Sequence, residues 1–142
     1  MINVLVVDDL PENIFTLEHI LDNGTRKFIP AASGAEALLL ASVEKIDLIL
    51  LDFKLDDMDG MEVAKQLRSN PITAHIPIIF VTAASHNERK KSRNFDIGTV
   101  DFLFKPIDLD EACTKVFLFE KIIRMNKIII ENGLMEAFIK VV

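Results

Sequence analysis

Residues 47–52 read Asp-Leu-Ile-Leu-Leu-Asp. Four apolar residues between two aspartates predict a short strand buried on both faces, as in the interior of a parallel sheet. Asp52 closes the run, so its carboxylate is expected at the carboxyl end of a central strand, where ligands and chemistry sit in open α/β sheets. A second run, Asn3-Val4-Leu5-Val6-Val7, also ends in acid, at Asp8 and Asp9. If the two strands lie side by side and parallel, three carboxylates converge at one edge. Like charges a few ångströms apart repel by roughly 4 kcal/mol per close pair at an effective dielectric near 20. Such a cluster holds either a proton or a cation, and a small hard cation with oxygen ligands, Mg²⁺ by preference, suits it.

Working outward, strands and helices alternate. After the strand at 4–7, Pro11 sits where the first turn of a helix tolerates proline, and Ile14, Leu17, Ile20 and Leu21 form one apolar face. Asn23-Gly24 ends that helix. Residues 28–31 predict a short strand, weaker than the others and placed at an edge. Four helices open with a polar cap and a glutamate three residues on: Ser33 with Glu36, Asp59 with Glu62, Ser85 with Glu88, and Asp108 with Glu111. Between them, 78–82 reads Ile-Ile-Phe-Val-Thr and 100–104 reads Val-Asp-Phe-Leu-Phe. Strands separated by helices predict βαβ units, and hence an α/β fold with a parallel sheet covered on both faces.

The 142 residues suffice for one domain with a real core. The single cysteine, Cys113, precludes an internal disulfide, fits a reducing compartment, and is expected as a small buried helix residue. The net charge of −6 disfavours direct nucleic-acid binding by the surface at large. No apolar stretch approaches the roughly 20 residues that span a bilayer, and the start carries no leader pattern. These features predict a cytoplasmic protein that does not engage the membrane.

From Asp108 helical propensity runs unbroken to about Glu131, longer than a helix covering a five-stranded sheet requires. Val116, Phe117, Leu118 and Phe119 make it apolar nearly all round, so one side must face something other than the sheet. The chain is therefore divided into a domain at 1–124 and a helical extension at 125–142. That extension is expected to act as a linker or dimerisation segment toward an output domain, and a homodimer through the last helix is one expectation. The basic run Glu88-Arg89-Lys90-Lys91-Ser92-Arg93 reads as a solvated face, or as half of a charged dimer surface facing Asp101, Asp110, Glu111, Lys121 and Arg124.

Four strand ends thus carry informative residues: Asp8-Asp9, Asp52, Thr82 and Lys105-Pro106. With Asp57-Met58-Asp59-Gly60-Met61-Glu62-Val63 downstream of the central aspartate, this arrangement resembles the receiver domain of two-component response regulators over residues 2–124. The resemblance implies a flavodoxin-like, doubly wound, five-stranded parallel sheet of order 2-1-3-4-5. It implies that Asp52 is phosphorylated by a phosphohistidine on a histidine kinase or phosphotransfer protein. It further implies Mg²⁺ bound by Asp9 directly, by Asp8 largely through water, by Asp52, and by the backbone carbonyl of Lys54. Lys105 would pair with the phosphoryl oxygens, Thr82 would hydrogen-bond one of them, and the Lys105–Pro106 peptide would be cis. Phe102 stands at the aromatic switch position, relaying the state of Thr82 to the face of the fourth helix, fifth strand and last helix. The bland alternatives are helix caps for Asp8 and Asp9, a surface lysine at 105 and a core ring at 102. His19, His75 and His86 are scattered without ligand spacing and are expected at the surface.

The chain departs from the family pattern at several positions. Asp56 stands where many receivers have proline. Lys54, two residues past the phosphoacceptor, would place an ammonium near the phosphoryl group and change its lifetime, which the dephosphorylation half-life of Lys54→Asn measures. Phenylalanine rather than tyrosine at 102 removes a hydroxyl. The expected function is a signalling switch, not an enzyme beyond its own phosphotransfer and autodephosphorylation. A phosphohydrolase working through an aspartyl-phosphate is the enzyme-class rival, but that class wants a second acid where Lys54 stands. A pseudo-receiver acting only as a binding module is disfavoured by the intact set of Asp8, Asp9, Asp52, Thr82 and Lys105. A flavin carrier is disfavoured by Asp8-Asp9-Leu10-Pro11, which would repel a phosphate.

Overall fold

The computed structural model describes residues 1–83 and 100–131. Five strands form one parallel sheet: β1 (Ile2–Val7), β2 (Arg26–Ala31), β3 (Leu48–Asp52), β4 (Ile78–Thr82) and β5 (Val100–Phe104). Their spatial order is β2-β1-β3-β4-β5. The helices are α1 (Pro11–Leu21), α2 (Gly34–Val43), α3 (Gly60–Ser69) and the long last helix α4 (Leu109–Glu131). The expected helix opening at Ser85, with His86 and the basic run at 88–93, lies outside the described residues.

Every residue of β3 and β4 is buried, as an interior strand flanked by two helical layers requires. Side chains alternate between the two faces. Leu5, Val7, Ile49, Leu51 and Phe80 pack with Ala37, Ala41, Val63 and Leu67 of α2 and α3. Val4, Val6, Leu48, Leu50 and Val81 pack with Leu17 and Leu21 of α1 and Ala112 and Val116 of α4. Registers β1–β3 (Val7 opposite Leu51) and β3–β4 (Asp52 opposite Val81) bring the strands' carboxyl ends level. That alignment sets the site.

β2 starts at Arg26, two residues before the apolar pattern predicts. Arg26 is buried there, its Nε 3.3 Å from Glu120 Oε1 and its Nη1 2.7 Å from the Leu21 carbonyl oxygen. A partner 94 residues away makes a charged residue acceptable inside a strand. The strand does lie at an edge, as its weak pattern suggests.

Cys113 is a correction. It is exposed rather than buried, because its helix presents Ala112 and Val116 to the sheet. At 23 residues α4 spans roughly 34 Å. Leu118, Ile122, Met125 and Ile128 are exposed along it, while Lys127 pairs with Asp47 at 3.1 Å near the amino end of β3.

Candidate functional site

Three loops meet at the carboxyl edge of the sheet. Asp8 follows β1 and is buried, and its Oδ1 accepts the Leu10 N–H at 2.9 Å. Asp52 ends β3 and is buried, and Lys54 N–H donates to its Oδ1 at 3.3 Å. Asp8, Asp9 and Asp52 each present an oxygen within 4.8 Å of the others. Lys105 follows β5, with Nζ 3.7 Å from Asp8 Oδ2 and 3.8 Å from Asp52 Oδ2. Its backbone N–H donates to the Thr82 carbonyl oxygen at 2.8 Å, and the Lys105–Pro106 peptide is cis. Thr82 is buried at the end of β4, opposite Phe104.

Burial pushes the Asp52 carboxyl above its ordinary range. The Lys105 ammonium pulls it back, Asp8 and Asp9 push it up again, and the Lys54 N–H favours the charged form. The Lys105 ammonium lies near two of the three acids. The donor set is all oxygen, two of the three acids are buried, and charge remains to be neutralised. A hard divalent cation fits that deficit.

The chain belongs to the response regulator receiver domain family. The family's model matches residues 4–117. The response regulator PleD of Caulobacter vibrioides is 37% identical over 105 residues, which cover 74% of this chain and 23% of PleD. Protein PilH of Pseudomonas aeruginosa is 32% identical over 108 residues, covering 76% of this chain and 88% of PilH. The solved structure of the chemotaxis response regulator CheY4 of Vibrio cholerae superposes with a TM-score of 0.74 at 27% identity, covering 84% of this chain and 98% of CheY4. A Vibrio cholerae protein named for cyclic di-GMP phosphodiesterase activity is 41% identical over 106 residues, and the match spans only 24% of its length. The chain thus spans about a quarter of such multidomain relatives. Receiver domains are phosphoacceptors that bind Mg²⁺ at an acidic pocket and interact with histidine kinases or phosphotransfer proteins.

Around this receiver's acids, the β3–α3 loop is held by contacts the sequence did not announce. The Asp57 carboxylate accepts the Gly34 and Ala35 N–H groups at 2.9 Å each, capping α2, and those bonds lower its pKa. Asp59 accepts the Met61 N–H at 2.8 Å and so caps α3. Gly60 N–H donates to the Phe53 carbonyl oxygen at 2.8 Å. A Cβ at Gly60 would collide with the Asp52 carbonyl oxygen and lie 2.9 Å from Phe53 Cα, so only glycine lets the loop fold this close to the strand.

Phe102 is half-buried and stacked between two rings. Its centroid lies 5.3 Å from Phe80 and 6.0 Å from Phe104, and Phe80 meets Phe53 edge-on at 5.5 Å. Asp101 and Glu111 each lie 3.2 Å from Lys115 Nζ, so two of the acids expected to face the basic run already have a cation. His19 and His75 are exposed, as expected.

Proposed function

We propose that Asp52 is the phosphoacceptor of this receiver and that the domain works as a phosphorylation-dependent switch. The observation that carries the reading is the convergence of Asp8, Asp9 and Asp52 on one point with Lys105 Nζ beside two of them. Phosphoryl transfer is mostly positioning and charge neutralisation. An Asp52 carboxylate oxygen attacks the phosphorus of a partner's phosphohistidine; the P–N bond breaks and the imidazole nitrogen leaves with the electron pair. Mg²⁺ held by Asp8, Asp9, Asp52 and the Lys54 carbonyl would supply a second positive centre for the phosphoryl oxygens. Lys105 pairs with those oxygens, and the Thr82 hydroxyl donates to one.

Phosphorylation adds about 1.5 to 2 negative charges and three acceptor oxygens. Drawing Thr82 toward them frees volume behind it, which the Phe102 ring takes up by leaving its stack. That repacking reaches the surface formed with α4, where Asp101, Glu111 and Lys115 lie. The exposed apolar residues of α4 support a homodimer through that helix and a role as connector. No helix among the described residues is long and apolar enough to cross a membrane. The reading includes a cytoplasmic site of action and no direct nucleic-acid contact, the latter supported by the net charge of −6. The chemistry stops at self-phosphorylation and hydrolysis, with no other enzymatic turnover.

Acetyl phosphate with Mg²⁺ tests the reading. Intact mass should rise by one phosphoryl group in the wild type, and not in Asp52→Asn or with EDTA. Labelling of Asp52→Asn to the wild-type extent would refute it.

A further inference from the structure

The residue next to Asp52 begins a row of four rings. Phe53 packs edge-on against Phe80, with centroids 5.5 Å apart and planes at 65°. Phe80 stacks on Phe102 at 5.3 Å and 24°, and Phe102 on Phe104 at 6.0 Å and 7°. Phe80 is fully buried, whereas Phe53, Phe102 and Phe104 are each half-buried. The row therefore runs from the β3–α3 loop across β4 to β5, with its enclosed ring in the middle.

One peptide group ties Phe53 to the site. The Lys54 N–H donates to Asp52 Oδ1 at 3.3 Å, and the Phe53 carbonyl oxygen of the same peptide accepts the Gly60 N–H at 2.8 Å. Phosphorylation converts the Asp52 carboxylate into an acyl phosphate and offers that N–H new, charged acceptor oxygens. A donor bonds most strongly to a charged acceptor, so the peptide follows the charge and carries the Phe53 ring with it. Close-packed interiors pass such a shift on rather than absorb it. Phe80 has no solvent side to yield into, so a displacement of Phe53 reaches the face of Phe102.

We infer that Phe53 is a positioning residue of the switch: it senses the phosphoryl state through the Lys54 peptide and biases the Phe102 ring by way of Phe80, alongside Thr82. The inference rests on the proposed phosphorylation of Asp52. Coupling between two sites is reciprocal, so a change at Phe102 alters how firmly Asp52 holds a phosphoryl group, and Phe53 sets by how much.

Calorimetric titration of the full chain with beryllofluoride in MgCl2 tests this, beryllofluoride standing in for the phosphoryl group on Asp52. The variants are Phe53→Leu, Phe102→Leu and their double, with Met58→Leu and Phe102→Leu as the control pair. Met58 packs against the same core layer as Phe53 but carries no ring. Phe53→Leu and Phe102→Leu should be non-additive in Kd by about three- to tenfold, and the control pair additive within about twofold. Phe80→Met keeps bulk at the centre of the row and removes its ring; in that background the coupling should fall to within about twofold. The cycle at 53 and 102 decides without that background. Additive effects of Phe53→Leu and Phe102→Leu overturn the inference, as does an equal coupling in the control pair or full coupling in Phe80→Met. Failure of the wild type to bind beryllofluoride overturns the proposed phosphoacceptor instead, and it is told apart by the loss of binding in every variant.

Discussion

Asp52→Asn should stabilise the metal-free protein at neutral pH, although it removes the residue on which the chemistry depends. Asp52 lies within 4.8 Å of oxygens on Asp8 and Asp9, and each repulsion at that distance is worth about 3.5 kcal/mol at an effective dielectric near 20. The attraction of Lys105 at 3.8 Å returns about 4.4 kcal/mol on the same scale. The balance is about 2.5 kcal/mol against the charged carboxylate, before the cost of burying it. After relaxation and screening, a gain of about 1–3 kcal/mol is expected, or about 3–10 °C in Tm. The pH dependence has a defined sign. The folded-state pKa of Asp52 is raised, so its contribution is fully present below the unfolded value of 3.8. It is lost as pH rises through the folded value. The advantage of Asp52→Asn should therefore be largest at neutral pH and shrink on acidification. Mg²⁺ should stabilise the wild type far more than the variant. Thermal melts in EDTA and in MgCl2 across that pH range would measure all three. A variant that melts below the wild type in EDTA at neutral pH, or whose advantage grows in acid, would refute the reasoning.

Lys105→Met should slow phosphorylation by acetyl phosphate by about 10²–10³-fold, the usual cost of removing one preorganised charge from a transition state, as read by the rate of intact-mass change. Gly60→Ala should destabilise the fold by about 1–3 kcal/mol, because its Cβ meets the backbone of Asp52 and Phe53; urea unfolding measures it, and unaltered stability would contradict the packing. Glu120→Ala should cost about 3–5 kcal/mol by leaving Arg26 charged and buried, whereas replacing both partners with apolar residues should restore much of that. Ile122→Glu on the exposed stripe of α4 should abolish any association seen by light scattering with beryllofluoride and Mg²⁺, while leaving the melting temperature of the monomer within a few degrees.

Much of this was legible because interior strands of parallel sheets have little freedom of composition. The run 48–51 could be little else, and the acid that ended it marked the functional edge. Residues after successive strands had only to be aligned at that edge for Asp8, Asp9, Asp52, Thr82 and Lys105 to be gathered there. What the sequence concealed depends on partners distant along the chain. Arg26 inside a strand makes sense only beside Glu120. Asp57 reads as a loop acid until the N-terminus of α2 is placed against it. Cys113 sits on a helix apolar nearly all round, so periodicity could not say which side faced the core.

The central claim is that Asp52 itself becomes the acyl phosphate. The direct measurement is to phosphorylate the protein with acetyl phosphate and Mg²⁺, reduce with borohydride, digest, and sequence the peptides by mass spectrometry. Borohydride converts an acyl phosphate on aspartate to homoserine. The account predicts homoserine at position 52 alone, absent when EDTA replaces Mg²⁺. Homoserine at another acid with position 52 intact would contradict it.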